Sequence, residues 1–187
     1  MKLYDKKAAA ILRGWTEQQY RRTVGTRPRG DLQEDNDFNP RGPHRWFAEA
    51  LAYASLVIVL RQMAETWMVR PPYRSWRSHA ARIRQKADEM VATAMLPSGT
   101  NLAKWFIENE SLLQQDPTNQ DLVRKVAVAL LSLCEGNPGS WRAATAVLSD
   151  DMTPETLAEY LALWHASVSP QHQQFVHRVA EKFGLKI

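Results

Sequence analysis

The segment spanning residues 45–69 constrains the fold more than any other part of the chain. It contains neither proline nor glycine, and only four of its side chains are charged: Arg45, Glu49, Arg61 and Glu65. Apolar residues would lie on nearly every face of a helix built from it, and such a helix belongs in the middle of a bundle. The helix is predicted to end before the Pro-Pro pair that follows Arg70, since proline lacks an amide donor and restricts the preceding residue.

Helical periodicity and helix-ending residues recur along the rest of the chain. Besides 45–69, the pattern predicts helices at about 5–23, 74–95, 100–114, 117–135, 141–148, 157–166 and 171–183. No segment is a convincing strand. We therefore predict an all-α fold, a bundle of about eight helices, in which a hinge near 96–100 could separate two helical subdomains.

Charge divides the chain into two parts. Residues 1–86 hold 17 Lys and Arg against 8 Asp and Glu, whereas residues 87–187 hold 7 against 12. The expected organisation is a basic helical part, 1–96, and an acidic C-terminal bundle, 97–187. Thirteen of the 17 basic residues in 1–86 are arginine, whose planar fork of donors suits phosphate oxygens. This asymmetry predicts an anionic partner.

The main contact strip is predicted between Glu65 and Asp88, an interval without acidic residues. Its main members are Arg74, Arg77, Arg82, Arg84 and Lys86, and Arg70 is the sixth basic residue of the same cluster. We expect these side chains to lack the i,i+4 acidic partners that normally neutralise a helix face, and so to bind a polyanion. The alternative is a solvated face, or pairing with the acidic part of the chain.

A second basic patch is predicted around the loop 25–43, which holds three prolines and three glycines. Loops of this length are uncommon inside compact domains and are often functional or disordered. The patch comprises Arg21, Arg22, Arg27, Arg29, Arg41 and Arg45.

Aromatic residues lie close to the arginines and could stack on bases. Tyr73 and Trp76 fall within the strip, and Trp15 and Trp46 each lie near an arginine. The three tryptophans also fall on apolar stripes, which favours core packing for each of them. Tyr73, in a Pro-Pro-Tyr turn, is ambiguous.

Residues for catalysis or metal binding do not form a recognisable pattern. The eight glycines never make a phosphate-binding G-x-x-x-x-G-K loop. His172 and His177 are five residues apart, on different faces of a helix, and the other histidines are scattered. Cys134 lies in an apolar run, where a buried inert thiol is expected. We predict a non-enzymatic protein without metal or cofactor.

Apolar segments are too short to predict a membrane protein. The longest uncharged apolar run, residues 50–60, has 11 residues, whereas a span needs about 20. The charged residues among the first seven do not suit a signal peptide. We expect a cytoplasmic protein.

The end of the chain resembles a known family. The pattern consists of Trp141-Arg142-Ala143-Ala144, Val147-Leu148, an acidic break, Leu157, Tyr160-Leu161, Leu163-Trp164 and Gln174-Phe175-Val176. It is similar to the closing helices of the small subunit of CRISPR Cascade-type effector complexes. The resemblance implies a non-catalytic subunit, present in several copies, that holds the guide RNA–target duplex or the displaced DNA strand by its backbone.

Charge and resemblance together predict a sequence-independent nucleic-acid-backbone-binding subunit of a ribonucleoprotein. Its partners would be guide RNA or target DNA, other subunits and further copies of itself. Phosphate contacts carry no sequence information, and base pairing would do the reading. The alternative is a helical scaffold or adaptor that docks an acidic protein.

Overall fold

The computed structural model describes residues 44–71, 73–135, 143–144 and 154–187. In these ranges the chain forms six α-helices and one 3-10 helix, and no strand. The all-helical prediction is confirmed. The predicted helix at 5–23, the loop 25–43 and most of the predicted helix at 141–148 lie outside the described residues, so the count of about eight stays a prediction.

Helix α1, Arg45–Val69, has the predicted bounds. Its first half is buried, from Trp46 to Ile58, whereas Met68 and Val69 at its end are 60% and 69% exposed. The helix is therefore central over part of its length only, and its last turns leave the core. The amide of Arg70 donates to the Thr66 carbonyl oxygen at 2.7 Å and completes the last turn.

The single helix expected at 74–95 is divided in the structure. Arg74–His79 is a 3-10 helix and α2 spans Ala80–Ala92. Residues 74–79 are all exposed, so little burial stabilises a regular α-helical turn there. The Ser78 hydroxyl also donates to the Ser75 carbonyl oxygen at 2.9 Å, a local bond typical of serine at helix ends.

Four helices follow, each with recognisable end signals. They are α3, Leu102–Gln115; α4, Gln120–Glu135; α5, Leu157–Ser167; and α6, Pro170–Lys182. Asn101 caps α3, and Thr156 and Glu159 form a capping box on α5. Gly184, at φ 72°, ends α6; its amide and the next one bond back to Glu181 and Ala180 in a Schellman motif.

One hydrophobic core joins both parts of the sequence. Trp46 and Phe47 of α1 contact the rings of Phe106, Trp164 and Phe183, with centroids 5.6 to 6.2 Å apart. All five rings are at most 2% exposed. The basic and acidic parts therefore meet in a shared apolar interior.

Helix α1 is also the one described element that is long and apolar enough to cross a membrane by length and composition. Half of its most apolar window is buried inside the protein. A core helix passes the same test, so this observation is weak evidence for a membrane span.

Candidate nucleic-acid interface

The predicted contact strip lies on three consecutive elements: the end of α1, the 3-10 helix and α2. All six of its basic residues are exposed. Helix α2 is held inward by two small residues, Ala80 and Ala87, which are 1% and 0% exposed. Because only alanines are fully buried on this helix, its long basic side chains extend into solvent.

Arg84 departs from the prediction. Its guanidinium lies 3.3 Å from a Glu65 carboxylate oxygen and 3.2 Å from an Asp88 oxygen. Asp88 is four residues further along the same helix, so the expectation that no strip residue has an i,i+4 acidic partner is wrong here. Arg84 is neutralised within the protein, and its contact with an outside anion remains a prediction with weaker support.

Arg61, which the sequence did not single out, organises the same acids. It reaches Asp88 at 3.0 Å and Glu135 at 2.6 Å, so it links α1 to α2 and α4. Hydrogen bonds from Arg61 and then from Arg84 lower the pKa of Asp88. The ion-pair network thus links α2 to α1 and α4, and it engages the carboxylates of Glu65, Asp88 and Glu135.

The other strip residues keep an uncompensated charge. Among residues 44–71, 73–135, 143–144 and 154–187, no carboxylate lies within 4.0 Å of five basic groups. These are Arg70, Arg74, Arg77, Arg82 and Lys86, hereafter the unpaired strip.

Arg77 has a structural contact in addition. Its guanidinium donates to the Val69 carbonyl oxygen at 3.3 Å, at the end of α1 where carbonyl groups lack helical partners. One of its donors is therefore used, while the charge is not neutralised and the remaining donors are available to a ligand.

Arg82 and Lys86 line a groove with a volume of about 470 Å³. Leu60 and Ile83 form its apolar floor, and His79 and Glu89 complete the wall with Gln85. A spacing of four residues places Arg82 and Lys86 on one face of α2. Two positive side chains thus line a groove that is open to solvent and whose other lining residues are both polar and apolar.

A cluster of aromatic rings lies at the surface at the other end of the strip, with Tyr73 and Trp76 exposed and Trp67 partly buried. The ring centroid of Trp76 is 5.0 Å from that of Trp67 and 5.1 Å from that of Tyr73. Tyr73 is 64% exposed and Trp76 is 39% exposed. The core packing favoured for Trp76 is wrong, because its element lies outside the core; for Trp46, which is fully buried, it is confirmed. Trp67, Tyr73 and Trp76 are called the surface aromatic cluster below.

Most residues of the second basic patch are not among those that the structure describes. Arg21, Arg22, Arg27, Arg29, Arg41 and Trp15 lie outside the described residues. Arg45 is described: it is partly buried and lies 3.7 Å from Glu49, an i,i+4 neighbour. It is therefore a poorer phosphate ligand than the unpaired strip.

Cys134 and the candidate metal ligands of the described residues have the following environments. Burial raises the pKa of Cys134 to about 12, so the thiol stays protonated at neutral pH. No group of three or more His, Cys, Asp or Glu side chains is placed to hold a metal ion in these ranges.

The chain matches no protein-family model, no curated protein and no solved structure. Among the described residues on which the CRISPR resemblance rests, most belong to the core: Leu157, Tyr160, Leu161, Trp164, Phe175 and Val176 are each at most 6% exposed. Trp141, Arg142, Val147 and Leu148 lie outside the described residues. Packing accounts for these positions whatever the function, so the resemblance stays a hypothesis.

Proposed function

We propose that the protein binds the phosphate backbone of nucleic acid without reading its sequence and without catalysis, as a subunit of a ribonucleoprotein. The observation that carries the proposal is the unpaired strip. Its five cations project from consecutive elements and form no ion pair in the described ranges, while Glu65 and Asp88 are engaged by Arg84 and Arg61. The remaining carboxylate beside the strip, Glu89, accepts a hydrogen bond from Gln85 at 2.9 Å.

Physical chemistry favours a phosphate polymer as the partner. Like charges on adjacent turns repel each other, and a row of phosphates relieves that repulsion while releasing condensed counterions. Four of the five groups are arginines, which suit phosphate geometry better than lysine does. The groove beside Arg82 and Lys86 is shallow, and nothing in it resembles a pocket built for one specific base.

A narrower form of the proposal is the small subunit of a CRISPR effector complex, which would hold the guide–target duplex or the displaced strand. Its support is the resemblance of residues 141–176 and the unpaired strip. Co-purification of guide-length RNA with the tagged protein from its host would support this form; its absence, with binding intact, would restrict the proposal to the broader one.

The test is charge reversal measured by fluorescence anisotropy with labelled oligonucleotides of unrelated sequence. With about five phosphates neutralised, log affinity should fall against log salt with a slope of roughly −3.5 to −4.5. Replacing Arg82 and Lys86 by Glu should weaken binding equally for all sequences and should reduce the slope by about 1.5.

Arg178→Glu/Lys186→Glu is the matched control, because it changes net charge by the same amount at exposed positions outside the strip. Equal losses for the control and the strip variant would contradict the proposal, since total charge would then matter and not its location. Loss confined to one oligonucleotide sequence would indicate a base-reading protein.

The second candidate is an adaptor that docks an acidic protein. Met68 and Val69, exposed at the end of α1 beside Arg70, favour it, because apolar contacts flanked by charge are typical of protein interfaces. Failure of every oligonucleotide to bind at low salt would select this candidate.

A further inference from the structure

The surface aromatic cluster has a geometry that phosphate binding alone does not require. Three large rings pack on one another at the exposed end of α1, with Trp76 between Trp67 and Tyr73. Tyr73 remains 64% exposed even so. A contiguous group of exposed apolar side chains rimmed by polar residues often marks a binding site, whereas single exposed ones do not.

We infer that Tyr73, supported from behind by Trp76 and Trp67, is a stacking site for an unpaired base, and that the ligand is therefore single-stranded nucleic acid. This inference rests on the proposed function and adds to it the class of ligand.

The cluster is held in place before any ligand arrives. The amide of Trp76 donates to the Tyr73 carbonyl oxygen at 2.8 Å, which fixes the turn that carries both rings. Arg77 bonds back to the end of α1 at Val69, so the 3-10 helix is tied to the helix that carries Trp67. A base therefore meets a ring whose position has already been set, and little ordering cost remains.

The positive charge around the cluster favours a single nucleic-acid strand as its ligand. Arg70, Arg74 and Arg77 flank Tyr73 within four residues, and none has a carboxylate within 4.0 Å in the described ranges. Base–aromatic stacking next to backbone cations is how single strands are bound without sequence preference. In a duplex the base faces are stacked on their neighbours, and a side chain on the outside reaches only edges and phosphates.

The experiment compares three probes with the full chain: a single strand of about 16 nucleotides, the same sugar–phosphate strand lacking all bases, and the corresponding duplex. Anisotropy at constant low salt gives the affinities. We expect the intact strand to bind about tenfold more tightly than the abasic strand, which corresponds to one stacked base. The duplex should bind with the affinity of the abasic strand or less.

Substitution of Tyr73 locates the effect. Tyr73→Ala should lose about tenfold for the intact strand and nothing for the abasic strand, whereas Tyr73→Phe should behave as the unmodified protein because the ring is kept. Ile107→Ala is the control, since Ile107 is 76% exposed and lies on α3. Thermal unfolding of each variant shows that the fold is retained.

The outcomes separate this inference from the proposed function. If intact, abasic and duplex probes bind equally and Tyr73→Ala changes none of them, stacking is overturned while backbone binding stands. Binding of no probe overturns both. If Tyr73→Ala abolishes self-association in sedimentation without altering any affinity, the cluster is an interface between copies and the inference fails.

Discussion

The two aromatic clusters of this protein are built from similar ring contacts but lie in opposite environments. In the core, Phe47 contacts Trp164 and Phe183 with centroids 5.6 and 6.1 Å apart; at the surface, Trp76 contacts Trp67 and Tyr73 at 5.0 and 5.1 Å. The core rings are shielded from water, whereas Tyr73 and Trp76 at the surface are exposed and flanked by three arginines. Ring geometry alone thus says little about a role; exposure and adjacent charge decide it.

The largest difference between the two clusters should appear in how much an alanine substitution lowers the stability of the protein. Trp164→Ala removes a fully buried ring and the hydrogen bond from its indole to the Ala143 carbonyl oxygen, 2.9 Å long. We expect a loss of about 3–5 kcal/mol in the free energy of unfolding. Trp76→Ala, at a ring already 39% exposed, should cost about 1–2 kcal/mol. Urea unfolding measures both, and equal costs would mean that the surface cluster is part of the structural core.

Two glycines sharpen the comparison at the backbone. Gly184, next to Phe183 of the buried cluster, and Gly99, in the turn before α3, have φ of 72° and 79°, a conformation that glycine adopts without strain. A Cβ at Gly184 would lie 3.1 Å from the Ala103 Cβ, whereas a Cβ at Gly99 meets nothing within 4 Å. Gly99→Ala should cost about 1–2 kcal/mol from the backbone alone.

Gly184→Ala should lower the free energy of unfolding by more than its matched control, Gly99→Ala. The reason is that α6 must shift relative to Ala103 to make room for the added Cβ. Thermal unfolding of the two variants side by side gives the difference. Equal destabilisation would show that the end of α6 adjusts freely and that packing around Phe183 is looser than the contact distance indicates.

Paired and unpaired arginines in the surface region should differ in binding. Arg82→Met removes an unpaired cation and should weaken single-strand binding about fivefold at ~0.1 M salt, the share of roughly one phosphate contact. Arg84→Met removes a cation already held by Glu65 and Asp88 and should change affinity much less. A larger loss for Arg84→Met would mean that its ion pairs give way to the ligand.

The buried cluster should also make stability depend on pH, through His44. Its Nε2 lies 3.1 Å from the Pro154 carbonyl oxygen and its ring packs on Tyr160. Burial lowers the pKa of His44 below 6.5, although the Pro154 bond and Glu159 oppose the shift. The unfolded chain then takes up the proton first, so stability is complete above about pH 6.5 and is lost as the pH falls toward the folded pKa.

His44→Gln, which cannot ionise, provides the comparison. Its free energy of unfolding should vary less with pH below 6.5 than that of the unmodified protein, as followed by urea unfolding across the range. Parallel pH profiles would show that His44 is solvated in the folded state.

Most of the fold could be predicted because its determinants are local. The bounds of α1 follow from an apolar run ended by Pro71 and its neighbour, and the ends of α5 and α6 follow from the Thr-x-x-Glu box and Gly184. The division of residues 74–92 could not be predicted this way. It depends on how far α1 extends beyond the core, which is a tertiary property and leaves Arg74–His79 packed only on the exposed end of α1, outside the core.

The sequence predicts which basic residues make up the candidate site, but not all of the contacts that these residues make. The arginines were visible as a run without acids, yet the partner of Arg84 was overlooked although Asp88 lies at i+4, a spacing that the sequence displays. Glu65 and Glu135 could not be assigned, since they come from other helices. The partly buried position of Trp67 beside Trp76 could not be predicted, because the apolar run of 45–69 does not show where α1 leaves the core.

The two aromatic clusters lie at opposite ends of helix α1. At 1.5 Å per residue, Phe47 and Trp67 are about 30 Å apart along the axis, a separation at which substitutions are expected to act additively. Substitutions in the surface aromatic cluster, by design or by natural selection for a different strand, are accordingly expected to leave the packing of the core unchanged.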